Sequence, residues 1–252
     1  MIPFHHRLVP ELFVSPDAVG ALRADASRLP AWTMDSRQAG DLALLLTGGY
    51  APLRGYMTQA QHDAALAGAV LPWPAPLALA VDETFGDHAQ PGQDMALRDT
   101  GDAVLAVMSV TDRWGAGPVR LGGRIKGLRR PDHPAPNDLR RLWRDRGVAR
   151  VLSVQPTHAG QIGPAVRLAH RLDAVLLIQP PAGMRLDPPH DAVVAPLVAA
   201  PPDGPHRALW QGAVARNFGA THLVVHEDQG HDLLKRHAGS IGVQAILPDP
   251  TT

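Results

Sequence analysis

The stretch Val151-Leu-Ser-Val-Gln-Pro-Thr-His-Ala-Gly-Gln161 decides how the second half of the chain folds. Its beginning, Arg150–Val154, is a mostly apolar run of strand length, and Pro156 and Gly160 then mark a turn. Helical spacing of apolar residues follows over Gly163–Arg171. We therefore predict a buried β-strand, a turn and a helix, which is the connection typical of a parallel sheet.

The same alternation continues on both sides of this stretch. It predicts, in order, a helix over Asn137–Arg146, a strand over Ala174–Ile178, a helix over Arg207–Asn217 and a strand over His222–Val225. Apolar strands that alternate with helices favour a parallel sheet, with nucleotide or phosphate chemistry at the carboxyl ends of the strands. Pro180–Pro205 is too rich in proline for regular structure, and we expect a flexible flap over those strand ends.

The first 120 residues have a different pattern. The predicted elements are helices over Ala18–Arg28, Gln38–Leu46 and Gln59–Leu66, and strands over Leu77–Val81, Asp94–Leu97 and Val104–Val110. Asp35-Ser36 is suited to cap the second helix, and Gly48-Gly49 to end it. We expect a compact, mostly β domain, with its boundary in the basic stretch Arg120–Arg130 or in the proline-rich connector Pro131–Pro136.

The composition narrows the classes of function. The 24 basic residues balance the 24 acidic ones, so no net field attracts nucleic acid or an anionic membrane, and we expect neither as a partner. The arginines at 120–130 and 140–150 are expected on solvated helix faces or in ion pairs. Cysteine is absent, which excludes disulfides, thiolate nucleophiles and cysteine-zinc sites. The N-terminus lacks the apolar region of a secretory signal, and no apolar run approaches ~20 residues, so we expect a cytoplasmic protein.

The turn after the predicted 150–154 strand carries the candidate chemistry. Two imidazoles one helical turn apart at such a turn can both reach a triphosphate, and the amides of a helix N-terminus favour a phosphate there. This chain has the first imidazole, His158, which is the candidate catalytic residue. The second position is Gln161, which can donate a hydrogen bond but cannot carry a proton or a positive charge.

Several stretches of the first 128 residues resemble the N-terminal domain of the ATP sulfurylases, or sulfate adenylyltransferases. The most specific is Gly48-Gly-Tyr-Ala-Pro-Leu-Arg-Gly-Tyr-Met57, which matches the pattern G-G-[YF]-x-P-L-x-G-[YF]-M. The other matching stretches are Leu8–Val14, Leu71–Leu79, Ala96–Asp99 and Val104–Asp112. The resemblance implies an α+β protein of two domains: a PUA-like β domain over residues 1–128, followed by a shortened Rossmann-like α/β domain of the nucleotidylyltransferase type over residues 129–252.

In the second half the chain has stretches that correspond to the family's motifs, but several charged residues of those motifs are replaced. Members usually read Q-T-R-N-P-L-H-R-A-H after the first strand of the catalytic domain, whereas this chain reads Gln155-Pro-Thr-His-Ala-Gly-Gln161. Gln155 and His158 match, and the second histidine is Gln161. The arginine and asparagine that the resemblance assigns to sulfate binding are missing.

The later motifs show the same losses. The family's G-R-D-H-A-G is His226-Glu-Asp-Gln-Gly-His231 here, and only Asp228 matches. The arginine and histidine that would face the phosphates of ATP are Glu227 and Gln229. The resemblance therefore leaves four candidate nucleotide-binding residues, which are Gln155, His158, Gln161 and Asp228.

These losses favour an ATP-sulfurylase-like protein whose sulfate-activating site has degenerated, with a ligand-binding, regulatory or assembly role. One alternative is an active nucleotidylyltransferase that uses ATP with Mg²⁺ and a changed acceptor, with Gln161 or Arg167 substituting for the missing groups. The third hypothesis is true sulfate adenylylation with a rearranged site. The expected partners are a nucleotide or small anion, and either a second copy of the chain or a full-length ATP sulfurylase. We expect no metal, because the histidines of 222–231 do not supply three convergent ligands.

Overall fold

The computed structural model describes residues 3–204 and 206–248, apart from the side chain of Asp228. The chain forms two compact units, each with its own sheet. The β unit is Pro10–Asp132, and the α/β unit contains the described residues up to Val9 and from His133 onward. Across these described residues, no helix combines the length and the apolar character that spanning a bilayer requires.

The β unit is built on a six-stranded sheet. Its helices are α1 (Pro16–Ala26), α2 (Ser36–Thr47), α3 (Gln59–Leu66) and α4 (Glu83–His88). Its strands are β1 (Ala31–Thr33), β2 (Gly55–Tyr56), β3 (Leu79–Val81), β4 (Asp94–Arg98), β5 (Val104–Trp114) and β6 (Val119–Gly127). The strand order is β1-β4-β5-β6-β2, with β3 also paired to β6, and only the β1–β4 pairing is parallel.

The predicted helix boundaries of the β unit follow from their caps. The Asp35 carboxylate accepts from the Gln38 amide at 2.8 Å, and the Gln38 side chain accepts from the Asp35 amide, so α2 begins with a capping box. Thr58 and Gln61 repeat this arrangement at the start of α3. Gly48 ends α2 in the left-handed conformation, with φ of 84°, which glycine adopts without strain.

The stretch Arg120–Arg130, expected near a domain boundary, is mostly β6, a long strand at the centre of the β unit. The glycines that argue against a strand are required by close packing. A Cβ at Gly122 would lie 2.1 Å from the Met57 carbonyl oxygen, and one at Gly123 would lie 2.2 Å from the Ser109 carbonyl oxygen. Glycine is present here because a neighbouring backbone occupies the space of a side chain.

The α/β unit contains a five-stranded parallel sheet, as predicted from the alternation of helices and apolar runs. Its helices are α5 (Pro136–Asp145), α6 (Ile162–Leu172), α7 (His206–Asn217), α8 (Asp228–Arg236) and α9 (Ala238–Ile241). Its strands are β7 (Val151–Val154), β8 (Val175–Ile178), β9 (Val193–Val194), β10 (His222–Val224) and β11 (Gln244–Ile246), in the order β11-β10-β7-β8-β9. Leu152, Val154 and Ile178 are buried against α6 in its core.

The proline-rich segment is irregular over most of its length, as its composition predicts, but its middle is packed against the sheet and does not form a free flap. It contributes β9, which pairs in parallel with β8, and a bridge between Pro181 and Leu197. The Leu197 amide also donates to the Pro180 carbonyl at 2.8 Å, and Ala195 is fully buried. Since the prolines lie outside β9, they leave its ladder intact, and the segment is part of the packed edge of the sheet.

The N-terminal segment belongs to the α/β unit, although the resemblance places residues 1–128 in one domain. Arg140 holds this segment on the α/β unit and is only 2% exposed. The prediction that Arg140 lies on a solvated helix face is therefore wrong. Its guanidinium donates to the carbonyls of Phe4, Arg7, Arg216 and Asn217 at 2.6–2.7 Å. Burial, and then the charge of Arg216, lowers the pKa of Arg140 to about 10.

Asn137 has a related role inside α5. It does not cap the helix, which begins one residue earlier, at Pro136. Its side chain accepts from the Val9 amide at 2.8 Å and donates to the Val9 carbonyl at 3.0 Å. This pairing fixes the extended backbone of the N-terminal segment on the α/β unit, and the division at residues 128 and 129 remains a prediction.

Candidate functional site

A cavity of about 830 Å³ lies at the carboxyl edge of β7 and β10 in the α/β unit. The helices α7 and α8 and the loop after β7 form its walls. Its lining includes two of the predicted nucleotide-binding residues, Gln155 and Gln161. Among the residues that the structure describes, the other polar and charged side chains in the lining are Thr157, Arg207, Gln211, His226, Glu227, Gln229, Asp232 and Arg236.

Gln155 lies directly after β7, at the junction between the sheet and the cavity, and is 8% exposed. Its amide nitrogen donates to the Gln211 carbonyl at 3.2 Å and contacts the Gln179 side-chain oxygen at 3.4 Å. That oxygen also accepts from the Ser153 hydroxyl at 2.8 Å. The Oε1 of Gln155 and the Nε2 of Gln179 have no partner in the described structure. The strand ends therefore present a buried acceptor and a buried donor that a polar ligand or water would satisfy.

Gln161 closes the loop that precedes α6. Its Oε1 accepts from the Thr157 amide at 2.7 Å and contacts the Thr157 hydroxyl at 3.4 Å. The carbonyl half of the carboxamide therefore holds the loop, and the NH₂ half remains as a hydrogen-bond donor. Gln161 therefore stabilises the turn, but it cannot carry the positive charge of a second histidine.

His158, the predicted catalytic residue, is exposed and is not part of the cavity lining. It occupies the N-cap position of the short 3-10 turn Ala159–Gln161, which leads directly into α6. His226, which follows β10, does line the cavity. Partial burial, and then the charge of His158, lowers the pKa of His226. The structure thus leaves His158 outside the lining, whereas His226, from the histidine-rich stretch that the sequence analysis considers for a metal, lines the cavity.

The charges around the cavity are balanced among the described residues. Arg207 and Arg236 line it, and so do Glu227 and Asp232. Arg207 also donates to Asp203 at 3.1 Å, which offsets part of its charge. A site for a triphosphate and a sulfate needs a surplus of positive charge, and these four side chains do not provide one.

The remaining predicted residue, Asp228, begins α8, and its side chain lies outside the described part of the chain. No group of three metal-ligating side chains occurs among the described residues. His222, from the same histidine-rich stretch, contacts the Thr221 hydroxyl at 2.8 Å. Burial, and then the charge of Arg150, lowers the pKa of His222.

Three residues of the cavity are absent from the sequence-based predictions. Arg207 and Gln211 lie one turn apart on α7, and Arg236 lies in the last turn of α8. The spacing of Arg207 and Gln211 shows that they share one helix face, since they occupy positions i and i+4 of the helix predicted before the His222 strand. Nothing in the sequence around Arg236 distinguishes it from a solvated arginine.

The β unit also has a cavity, of about 720 Å³, which is lined by Leu29, Pro30, Phe85, Asp87, His88, Gln90, Gln93 and Asp94. Its carboxylate Asp87 is already paired with Arg113 at 2.9 Å. None of the predicted site residues lies there. The cavity of the α/β unit is therefore the better candidate.

Comparison with known proteins identifies the family of this chain. The model of the PUA-like domain family matches residues 2–142. The sulfate adenylyltransferase of Mycosarcoma maydis is 28% identical over 89% of this chain and 50% of its own length. The sulfate adenylyltransferase of Symbiobacterium thermophilum is 27% identical over 90% of this chain and 72% of its own length.

The solved structure of the hexameric APS kinase from Thiobacillus denitrificans superposes with a TM-score of 0.83 at 29% identity, over 95% of this chain and 55% of that one. This chain spans about half the length of the fungal sulfate adenylyltransferases that it matches. The similarity covers both units, so the predicted α+β architecture with a PUA-like N-terminal part is confirmed. The chain belongs to the PUA-like domain family and is a homologue of the sulfate adenylyltransferases.

Proposed function

We propose that the α/β unit binds an adenine nucleotide in the cavity at the carboxyl edge of β7 and β10 and does not activate sulfate. The observation that carries the proposal is the cavity lining. Polar groups line the cavity at the end of β7, but the positive charges of Arg207 and Arg236 are balanced by Glu227 and Asp232. Such a protein would act by binding a ligand, in a regulatory or assembly role.

The polar groups of the cavity support nucleotide binding. Gln155 supplies an acceptor without a partner, and the Gln161 carboxamide supplies a donor. Arg207 lies in the first turn of α7 and lines the cavity, so its guanidinium and the positive end of the helix dipole both favour an anion in this region. A ligand with anionic oxygens and hydrogen-bonding base or ribose groups fits this arrangement of donors and acceptors.

Loss of sulfate activation follows from the missing cations. Sulfate is a weak nucleophile, so positioning and charge stabilisation must supply most of the rate of its adenylylation. Removal of one preorganised donor from such a site commonly lowers kcat by about a hundredfold to a thousandfold. The resemblance identifies several replaced groups, among them Gln161, Glu227 and Gln229.

Calorimetric titration of the full chain with ATP and, separately, with adenosine 5′-phosphosulfate (APS) tests the proposal. We expect saturable binding of at least one of them that weakens when Arg207 is replaced by Ala. The matched control is Arg171→Ala, which removes an exposed arginine of the same unit outside the cavity lining. Absence of binding at millimolar concentrations of either nucleotide contradicts the proposal.

A second candidate function is adenylyl transfer from Mg²⁺-ATP to an acceptor other than sulfate. The retained His158 in the loop before α6 favours it, because an imidazole there can donate a hydrogen bond to a phosphate oxygen. Pyrophosphate release from ATP in the presence of tetrahedral oxyanions and phosphomonoesters would establish this activity. The release must disappear in His158→Ala and persist in His170→Ala, which alters an exposed histidine of α6.

An assembly role predicts that this chain forms a complex. The superposed APS kinase is described as hexameric, and this chain is similar to about half of it. We propose that this chain associates with a second copy or with a full-length ATP sulfurylase. Light scattering on the purified chain, alone and mixed with a full-length ATP sulfurylase, distinguishes self-association from association with that enzyme. A monomer under both conditions contradicts the assembly role.

A further inference from the structure

The strand β1 lies at the edge of the sheet in the β unit, where it pairs with β4 alone. The Pro30 carbonyl accepts a hydrogen bond from β4 and the Met34 amide donates one to β4, each at 2.9 Å. Successive residues of a strand direct their backbone amides and carbonyls to opposite sides. The amides and carbonyls of Ala31 and Thr33 therefore point away from the sheet.

These outward backbone groups are unpaired. Over residues 3–204 and 206–248, no hydrogen bond joins the outward side of Ala31 or Thr33 to another part of the chain. Thr33 is also exposed. Neither a charged side chain nor a proline interrupts the strand, so its open edge can accept an extended peptide as a further strand.

Two adjoining cavities lie beside this edge. The cavity of about 720 Å³ is bordered by Pro30, and a second one of about 400 Å³ is bordered by Ala31–Thr33. Phe85 and His88 of α4 line both cavities, and we call the two together the edge groove. The rings of Trp32 and Phe85, with centroids 5.1 Å apart, give it an aromatic wall. When a peptide adds to a sheet, pockets of this kind hold its side chains while the backbones pair.

The edge groove is acidic. Asp82, Asp87 and Asp94 line it and are exposed, and no lysine or arginine occurs among the described residues of the lining. Asp87 is paired with Arg113 at 2.9 Å. Asp82 accepts a hydrogen bond from a backbone amide of α4, which leaves its charge in place, and the Asp94 carboxylate has no partner in the described structure. Two uncompensated carboxylates favour an occupant with cationic side chains.

We infer that the edge groove binds an extended segment of a partner protein that carries both apolar and lysine or arginine side chains. The segment pairs with the outward backbone groups of Ala31 and Thr33, and its apolar side chains contact the aromatic wall. Its cations lie near Asp82 and Asp94. This inference goes beyond the proposed nucleotide site, because the edge groove belongs to the β unit.

Amide hydrogen exchange of the full chain, followed by NMR, tests the inference with a synthetic peptide. The peptide has blocked ends, alternates valine with lysine, and has about six residues, which is the length of an ordinary strand. We expect it to slow the exchange of the Thr33 amide by about tenfold or more and to leave that of Trp32, which faces β4, unchanged. The same peptide with glutamate in place of lysine is the control, and it should bind more weakly.

The contribution of charge is measured with Asp94→Asn, which should weaken binding of the lysine peptide by about two- to fivefold. Asp25→Asn is the matched control, because this carboxylate is exposed on α1, outside the edge groove. Raised salt should reduce the affinity of the wild type more than that of Asp94→Asn.

Three results would overturn the inference. They are an unchanged Thr33 amide at millimolar lysine peptide, equal binding of the lysine and glutamate peptides, and equal affinity of the wild type and Asp94→Asn. Protection of Thr33 that appears without peptide, together with a dimer in light scattering, identifies a second copy as the occupant and also overturns it. ATP binding in Asp94→Asn should equal that of the wild type, so the outcome for the edge groove is independent of the outcome for the nucleotide site.

Discussion

The replacement of Asp41 by asparagine should stabilise the β unit at neutral pH. Asp41 lies on α2, and its carboxylate accepts a hydrogen bond from the Tyr50 hydroxyl at 2.6 Å. Burial raises the pKa of Asp41 to about 6, against the opposing effects of this hydrogen bond and of the charge on Arg37, while Asp35 adds to the increase. An asparagine keeps the acceptor for Tyr50 and removes the buried charge.

The magnitude follows from linkage. The ordinary pKa of the group is 3.8 and the folded value is about 6, which corresponds to roughly 3 kcal/mol of unfolding free energy. Between these values the folded chain holds a proton that the unfolded chain has lost. Stability therefore decreases as the pH rises from about 4 to about 6, and the full cost is present above pH 6. We expect Asp41→Asn to recover up to about 3 kcal/mol at pH 7.5 and almost nothing at pH 4.

Hydrogen exchange measured by mass spectrometry is the appropriate assay, because peptides from α2 report the opening of the β unit alone. Wild type and variant are compared at each pH, so the intrinsic pH dependence of exchange cancels. Asp25→Asn serves as the control, since this carboxylate is exposed on α1. Equal protection of α2 in wild type and Asp41→Asn at pH 7.5, or a difference that does not shrink between pH 6 and pH 4, would refute the reasoning.

Three further predictions test other parts of the structure. Arg140→Met removes four short hydrogen bonds to buried carbonyls, and it should lower the unfolding free energy of the α/β unit by at least about 3 kcal/mol. Urea titrations that follow the fluorescence of the nearby Trp143 measure this loss. Gly122→Ala places a Cβ 2.1 Å from a carbonyl oxygen and should lower the melting temperature, measured by calorimetry, markedly. Gly20→Ala, whose Cβ would have nothing within 4 Å, should raise the melting temperature slightly. Gln161→Ala opens the loop at Thr157, and increased exchange of the Thr157 amide should report this; unchanged protection would contradict it.

Much of the secondary structure could be predicted from the sequence because local chemistry determines it. The capping residues Asp35 and Thr58 fix the starts of α2 and α3, and Gly48 fixes an end. The apolar runs at 151–154 and 175–178 are buried strands of a parallel sheet, as their composition indicates. In each case the signal lies within a few residues of the element that it specifies.

Elements that depend on distant neighbours could not be predicted. β6 contains glycines because backbones far along the chain pass close to it, and strand propensity alone argues against it. β9 forms within a proline-rich segment because the edge of β8 offers a ladder. Arg140 looks like a solvated helix residue, and its burial depends on carbonyls more than 70 positions away.

The candidate site was predictable in part. The strand-to-helix turn and the family pattern indicate Gln155 and Gln161, and the structure places both at the cavity. His158 is exposed and outside the lining, in the turn that precedes α6. The presence of His226 in the same lining depends on the pairing of β7 with β10, which no local pattern specifies.

Phosphorus NMR of ATP mixed with the full chain, Mg²⁺ and sulfate tests the central claim most directly, since one spectrum reports both binding and turnover. We expect the ATP resonances to shift or broaden on addition of the protein, while no pyrophosphate resonance appears. Accumulation of pyrophosphate together with APS would contradict the loss of sulfate activation. ATP resonances that do not respond to the protein at all would contradict the nucleotide site.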